Sequence, residues 1–460
     1  MTDTSNTSVA PTVVPVVSTV DDITEDFPHV RADQYVLIQM PSGNVKIVSL
    51  KPNTQVSLGK FGTFNSDNLI DKPFGVSYEI YDDKGSIRPV RNWALDVVEE
   101  TNANNQMIID NAAVQKLSHQ EVETLKAESL KGNLSNDEII QKIIASHAEF
   151  DKKTEFSKAK YIERKKKKFM KVFTPVRPTL YQINELFFNK NPEKIKGLRV
   201  DTLSQILSLA NVRSNSKVLV VDDTQGLIVS AVAERMGGYG TIVAIHDGDN
   251  HNYDVLRYMN FSRRILDTIH TVPLSKIDPA DPNDPFEEKT QEEIDAMEEF
   301  ARRRYERRKN VADAKARNRE LLFEGKFDAL IISSPYEPST VVERLFPYIS
   351  GSRRIVIYGF TKDVLIDTAA WMRKSTSYLS VDISESSLRQ YQVLPGRTHP
   401  EMTTSGGGGY LLSALKVIDC PEDMAIVFQN EMDARKNKKQ KRDKKANASK
   451  KQKEQQQQQS

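Results

Sequence analysis

Three short apolar runs constrain this chain more than any other feature: residues 217–222 (KVLVVD), 241–246 (TIVAIH) and 327–333 (FDALIIS). Each is almost continuously hydrophobic, as a strand must be when both of its faces are buried. Further runs at 268–274, 353–358 and 410–418 extend the series. Helical spacing fills the gaps: Leu203, Ile206, Leu207 and Ala210 share one face after Asp201, which can cap that helix. Residues 227–236 are helical up to a Gly237–Gly240 stop, and 252–261 follow. Strand–helix alternation at this spacing specifies an α/β domain with a mostly parallel sheet, here over residues 171–420. Residues 278–324 interrupt it with Pro279, Pro282 and Pro285 and then two charged helical blocks. This stretch is too long for an αβ loop and reads as an insertion.

Upstream the pattern changes. Residues 35–40 and 45–50 flank a turn at Pro41–Asn44, and 77–81 and 86–90 flank a second at Asp82–Gly85. With 55–64 and 107–110, these short strands predict a small antiparallel barrel over residues 31–112. Residues 113–170 read as a helical linker with a basic end and an N-cap at Ser135 or Asn136. Pro175 and Pro178 read as the stop and restart of a helix. Residues 1–30 and 421–460 carry no apolar period and are expected to be disordered.

Composition then narrows the class. Cys420 stands alone, which excludes an internal disulfide framework, and the seven histidines lack ligand spacing, so no metal site is expected. No run of 18 apolar residues is present and no Lys or Arg precedes Arg31; neither a membrane helix nor a cleaved leader is expected. The formal net charge of +2 hides a blocked distribution. Residues 434–460 hold 11 basic against 2 acidic residues, a balance of +9 that leaves −7 for residues 1–433. Residues 158–171 carry 8 bases against Glu163 alone, and 302–309 carry six bases with Glu306.

In doubly wound folds a nucleotide-like ligand binds where a strand ends in an acid and a glycine-rich turn opens a helix. Here that turn reads Asp222-Asp-Thr-Gln-Gly-Leu-Ile228, with Gly226 its only glycine. Thr224, Gln225 and Leu227 put β-carbons where the ligand would approach, and Asp223 adds negative charge. The fourth strand ends in Ser333-Ser334-Pro335-Tyr336, with no acidic residue and no nucleophile elbow, so it reads as a polar strand end. Asp247 fits a ribose ligand, but beside a damaged first loop it reads as a turn residue before Gly248.

Longer motifs connect these features. YIERKKKKFMKVFTPVRPT and FFNKNPEKIKGLRVDTLSQILSLANVRSNSKVLVVDDTQGLIVSAVAERMGGYG are followed by FDALIISSPYEP and YQVLPGRTHPEMTTSGGGGYLL. Together they resemble the non-catalytic subunits of the eukaryotic tRNA (adenine-N1) methyltransferase, over most of residues 31–420 and outside both termini. The resemblance implies a degenerate Rossmann-like (class I methyltransferase) domain behind a small N-terminal β-barrel domain, and no catalytic site in this chain. It implies that the cofactor, S-adenosylmethionine, is bound by a paralogous catalytic subunit with a glycine-rich first loop and a catalytic aspartate ending its fourth strand. The matching positions here are Thr224–Leu227 and Ser333. It also implies a heterotetramer of two such pairs, acting on adenine 58 of the tRNA T-loop.

The basic segments then acquire a role, because clustered Lys and Arg bind a polyanion mainly by releasing its counterions. The tRNA-binding candidates are Arg164, Lys165, Lys166, Lys167 and Lys168 with Arg177, and Arg397, Thr398 and His399 in an irregular loop. Arg302, Arg303 and Arg304 are weaker candidates, since pairing with neighbouring glutamates accounts for them equally well. Lys60 and Phe61 join them from the barrel, with a core position the alternative for Phe61. The Lys-rich tail fits nonspecific RNA affinity, a nuclear localisation signal or a solubilising extension equally well, and the expected compartment is the nucleus. Two other readings stay open: a self-sufficient methyltransferase with an unusual cofactor loop, and a translation-linked RNA-binding factor.

Overall fold

The structure, a computed structural model, describes residues 29–82, 84–90, 171–281, 286–394, 397–403, 406–418 and 432–440. Residues 124, 141, 142, 144–146, 158, 161, 162, 164 and 165 are described between the second and third of these segments. The expected strand at 107–110, the cap at Ser135 or Asn136, and most of both termini lie outside the described residues.

The N-terminal strands are β1 (Tyr35–Gln39), β2 (Val45–Ser49), β3 (Gln55–Ser57), β4 (Thr63–Asn65), β5 (Tyr78–Ile80) and β6 (Ile87–Pro89). Among the described residues the expected barrel takes the form of an antiparallel sheet in the order β2-β1-β7-β5-β6, with β3 and β4 a separate hairpin. Its central strand β7 (Val172–Val176) comes from beyond the linker and pairs with both β1 and β5. This corrects two readings. Residue 171 does not open the α/β domain, and Pro175 lies within a strand, its carbonyl accepting from the Gly75 amide at 2.8 Å. The disorder expected over residues 1–30 does not hold at its end, because His29 bridges Pro73 and Val30 is fully buried.

Alternation along β1 explains why the two parts of the chain pack as one body. Val36 and Ile38 face a core with Phe61, Phe64 and Phe173, whereas Leu37 points the other way, into the main core with Ile183 and Leu186. Beside it, the Asn260 side chain accepts from the Tyr35 amide and donates to the Tyr35 carbonyl, both at 2.8 Å.

The second sheet runs β10-β9-β8-β11-β12-β16-β13. Its strands are β8 (Ser216–Asp222), β9 (Gly240–His246), β10 (Ile269–Pro273), β11 (Phe327–Ser333), β12 (Ile349–Gly359), β13 (Tyr378–Glu385) and β16 (Tyr410–Lys416). All pairs are parallel except those made by β16, which is antiparallel to β12 and β13. The period of two sorts the apolar runs between faces. Val218, Val220, Ile242, Ala244, Ala329 and Ile331 enter one core; Leu219, Val221, Val243, Ile245, Leu330 and Ile332 enter the other. Each such valine, leucine or isoleucine stabilises the fold by about 1.5–3 kcal/mol relative to its exposed state.

Helices α1 (Leu180–Lys190), α2 (Val200–Leu209), α3 (Leu227–Met236), α4 (Asp254–Tyr258) and α5 (Arg263–Leu266) line the first face. The expected helix over 252–261 is confined to α4. Gly237, in the left-handed region at φ 64°, stops α3 where the sequence placed the stop. The insertion holds α6 (Gln291–Asp295) and α7 (Glu299–Phe323), but the end of α7 is not inserted material. Arg319 and Leu322 are buried against the second face, so this is the crossover helix between β10 and β11. Helices α8 (Pro338–Leu345) and α9 (Lys362–Lys374) complete that face. Between β13 and β16, β14 (Tyr391–Leu394) and β15 (Arg397–Pro400) form a separate hairpin, in place of the irregular loop expected around Arg397. Residues 432–440 are helical with every residue exposed, which corrects the expectation of disorder there.

Candidate functional site

The switch point of the second sheet lies between β8 and β11, where neighbouring strands lead to opposite faces. Ligands of doubly wound folds bind outside the carboxyl ends of such strands. Asp222 ends β8 in register with Ser333 at the end of β11. Its carboxylate is consumed by its own turn. One oxygen accepts from the Thr224 amide and the Thr224 hydroxyl, both at 2.6 Å, and the other from the Val229 amide at 3.0 Å. Burial pushes this carboxyl above its ordinary range, against the lowering effect of those hydrogen bonds. Gln225 and Gly226 follow in the left-handed region, at φ 61° and 79°.

Gly226 has a different neighbour from the one its motif suggests. A Cβ here would lie 2.7 Å from Tyr253 Cβ and 2.9 Å from Tyr253 Cα. The glycine therefore admits a tyrosine of the chain itself. The buried Tyr253 hydroxyl donates to the Ile245 carbonyl at 3.3 Å, and its ring stacks on His251 with centroids 4.8 Å apart. His246, at the end of β9, completes the group edge-on to His251 at 5.9 Å. Burial pushes the Tyr253 phenol up and holds both imidazoles below their usual value. The sequence reading missed all three; the only available signal was aromatic density after β9.

The remaining acids at the strand ends are also engaged. Asp223 donates its amide to the Ser333 carbonyl at 3.0 Å and pairs with Lys196 at 2.9 Å. Asp247 accepts from the Gly248 amide, as a turn aspartate does, and its carboxylate lies near enough to Tyr336 to raise the phenol above its ordinary value. Tyr336 follows β11 and Asp247 follows β9, so the two come from the strands on either side of β8. The loop does not fit a nucleotide-like cofactor: Asp222 is spent on its own turn, Asp223 on Lys196, and Gly226 on Tyr253.

A family model, the Gcd10p family, matches residues 29–304. This chain belongs to the Gcd10p family. A curated relative from Debaryomyces hansenii, a tRNA (adenine(58)-N(1))-methyltransferase non-catalytic subunit, is 33% identical over 89% of this chain and 91% of its own length. The Mus musculus protein of the same description is 28% identical over 77% of this chain and 82% of its own. Among solved structures, an S-adenosylmethionine-dependent O-methyltransferase from Thermotoga maritima is 10% identical, covering 86% of this chain and 97% of that one with a TM-score of 0.47. At that distance the methyltransferase-like fold of this Gcd10p-family chain rests on its own sheet order.

The described basic candidates of this Gcd10p-family chain sit on separate elements. Arg164 and Lys165 are helical; Arg164 is exposed, and the Lys165 ammonium lies 5.0 Å from the Tyr161 ring centroid. Lys166, Lys167 and Lys168 lie outside the described residues. Arg177 follows β7 and interacts with Glu234 of α3. Arg397, Thr398 and His399 lie on β15, with Thr398 and His399 exposed. In the barrel region Phe61 is core, and the Lys60 ammonium sits 5.0 Å from its ring centroid. Asp201 is no N-cap: it lies in the first turn of α2 and takes Arg199 at 2.7 and 2.9 Å.

Proposed function

We propose that this chain is the non-catalytic, tRNA-binding and structural subunit of a tRNA (adenine-58-N1) methyltransferase. Its partner is a catalytic paralogue that binds S-adenosylmethionine, in a nuclear heterotetramer of two such pairs. The observation that carries this reading is the self-occupied switch point: Thr224 on Asp222, and Tyr253 against Gly226. A loop so filled keeps the fold and removes the chemistry. The descriptions of the curated relatives support the same assignment.

When bound to the partner, S-adenosylmethionine supplies an electrophilic methyl group. This chain contributes the surface that holds the polyanionic substrate. Arg164 to Lys168 with Arg177, and the Arg397–His399 strand, are the contacts we assign to tRNA. Exposed cations gain affinity there mainly through counterion release, so binding weakens steeply with salt.

The test is co-expression with the catalytic paralogue, followed by mass measurement and a tRNA methylation assay, with calorimetry on this chain alone. The expected outcome is activity only in the complex and no S-adenosylmethionine binding by the isolated chain. Methyl transfer by this chain alone, or micromolar cofactor binding to it, would refute the reading.

A further inference from the structure

Helix α7 is longer than its place in the sheet requires. Asn318 marks the register: it donates to the Thr271 carbonyl of β10 at 3.1 Å and also contacts His270. Because β10 and β11 are parallel strands joined through α7, the helix runs antiparallel to them. Its N-terminus therefore lies at the carboxyl end of the sheet. From Asn318 back to Glu299 the helix extends about 28 Å at 1.5 Å per residue, whereas β10 has only about 7 Å left after Thr271. The first half of α7 thus overhangs the switch-point side of the sheet by roughly 20 Å.

This overhang carries little apolar stabilisation. From Glu299 to Asn310 every residue except the half-buried Tyr305 and Lys309 is exposed. A helix polar on all sides is held by side-chain pairs or by something it binds. Pairs account for three of its six cations: Arg302 with Glu306, Arg303 with Glu299, and Lys309 with Glu288 at 3.5 Å. Arg304, Arg307 and Arg308 form no ion pair among the described residues. Spacings of three and four residues put Arg304 on one face with Arg307 and Arg308. Below them a groove of about 580 Å³, lined by Lys276, Phe286, Arg307, Arg308, Lys315 and Arg319, reaches the end of β10; Glu288 and Asp313 are its acidic members.

We propose that the overhanging half of α7 is an RNA-binding arm, whose Arg304, Arg307 and Arg308 contact tRNA phosphates on the switch-point side of the sheet. This rests on the tRNA-binding role proposed above and adds a site to it. Arginine suits the task because its planar fork pairs with phosphate through two hydrogen bonds.

The experiment uses the complex co-expressed with the catalytic paralogue, comparing wild type with R304A/R307A/R308A and R304K/R307K/R308K. tRNA affinity is measured across a salt series, with kcat and KM at fixed salt. The alanine variant should lower the salt slope by roughly 0.7–0.9 for each phosphate that is no longer neutralised, and raise KM, with kcat at saturating tRNA unchanged. The lysine variant should keep most of the slope, which separates lost charge from a melted helix. A slope and KM equal to wild type in the alanine variant would overturn the arm while leaving the subunit's role intact. Subunit dissociation with an unchanged salt slope would assign the arm to the protein partner, and would overturn it too. A wild-type complex that does not bind tRNA would sink both readings.

Discussion

Thr224 gives Asp222 both its amide and its hydroxyl, each at 2.6 Å, and so closes the turn that a cofactor would otherwise complete. Thr224→Val keeps the shape and removes one donor from a buried carboxyl. The expected loss is about 1–3 kcal/mol of stability, read from denaturant unfolding. A neutral result would mean that the carboxyl does not depend on the hydroxyl.

Gly226 should not tolerate alanine. Its φ of 79° is strained for any residue with a Cβ, and the obstructing atoms are the Cα and Cβ of Tyr253. Tyr253→Ala keeps both atoms, so the double variant should be no more stable than Gly226→Ala alone. Recovery of the melting temperature in the double variant would show that the phenol ring, not the backbone approach, is the obstacle.

Restoring glycine at Thr224 should not restore a cofactor site. Tyr253 still packs against Gly226 and stacks on His251, and Asp222 loses a partner. Calorimetry with S-adenosylmethionine should show no heat of binding for Thr224→Gly. Saturable binding would place the whole defect in the loop sequence.

Stability should fall as the solution is acidified. Burial holds His246, His251 and His270 below the usual imidazole value of 6.5. The folded state therefore favours their neutral forms, and that contribution is complete above the unfolded pKa and lost as pH falls through the depressed folded values. Asp201 acts in the same sense further down: burial raises its pKa, but Arg199 outweighs this and leaves it lowered. Asp222, held above its usual range, works oppositely and loses its contribution as pH rises through its folded value. The melting temperature should drop between about pH 7 and pH 5, and His246→Asn should flatten part of that drop.

Arg199 should be costly to remove. It is nearly buried, binds Asp201 through two hydrogen bonds and donates to the Ser386 carbonyl at 3.1 Å. A Cβ on Gly408 would come within 2.9 Å of its own Cβ, so the glycine run before β16 lies directly over it. Arg199→Ala should cost about 3 kcal/mol, because Asp201 keeps its charge without a partner. Faster proteolysis between β13 and β16 would report the same loss.

Much of the α/β half was legible in the chain. The runs 217–222, 241–246 and 327–333 became β8, β9 and β11 with small changes of boundary, because burial on both faces leaves a local, continuous apolar signal. The N-terminal half was less legible. Strand β7 was hidden by Pro175 and by about eighty residues separating it from β6, and no local pattern encodes a pairing at that distance. The candidate site divided in the same way. The missing glycines around Thr224 could be read directly, whereas Tyr253 reaches Gly226 only through the fold.

By itself, then, the sequence determined the type of each strong element, the defective first loop and the blocked distribution of charge, since each is a local property of residue type and spacing. Tertiary structure decided what is relational. It made Leu37 of the N-terminal sheet part of the α/β core, filled the switch point with Tyr253, and carried Arg304, Arg307 and Arg308 beyond the edge of the sheet. The physical reason is that burial, close approach and projection depend on which distant segments pack together. The net charge and periodicity of the chain are blind to that.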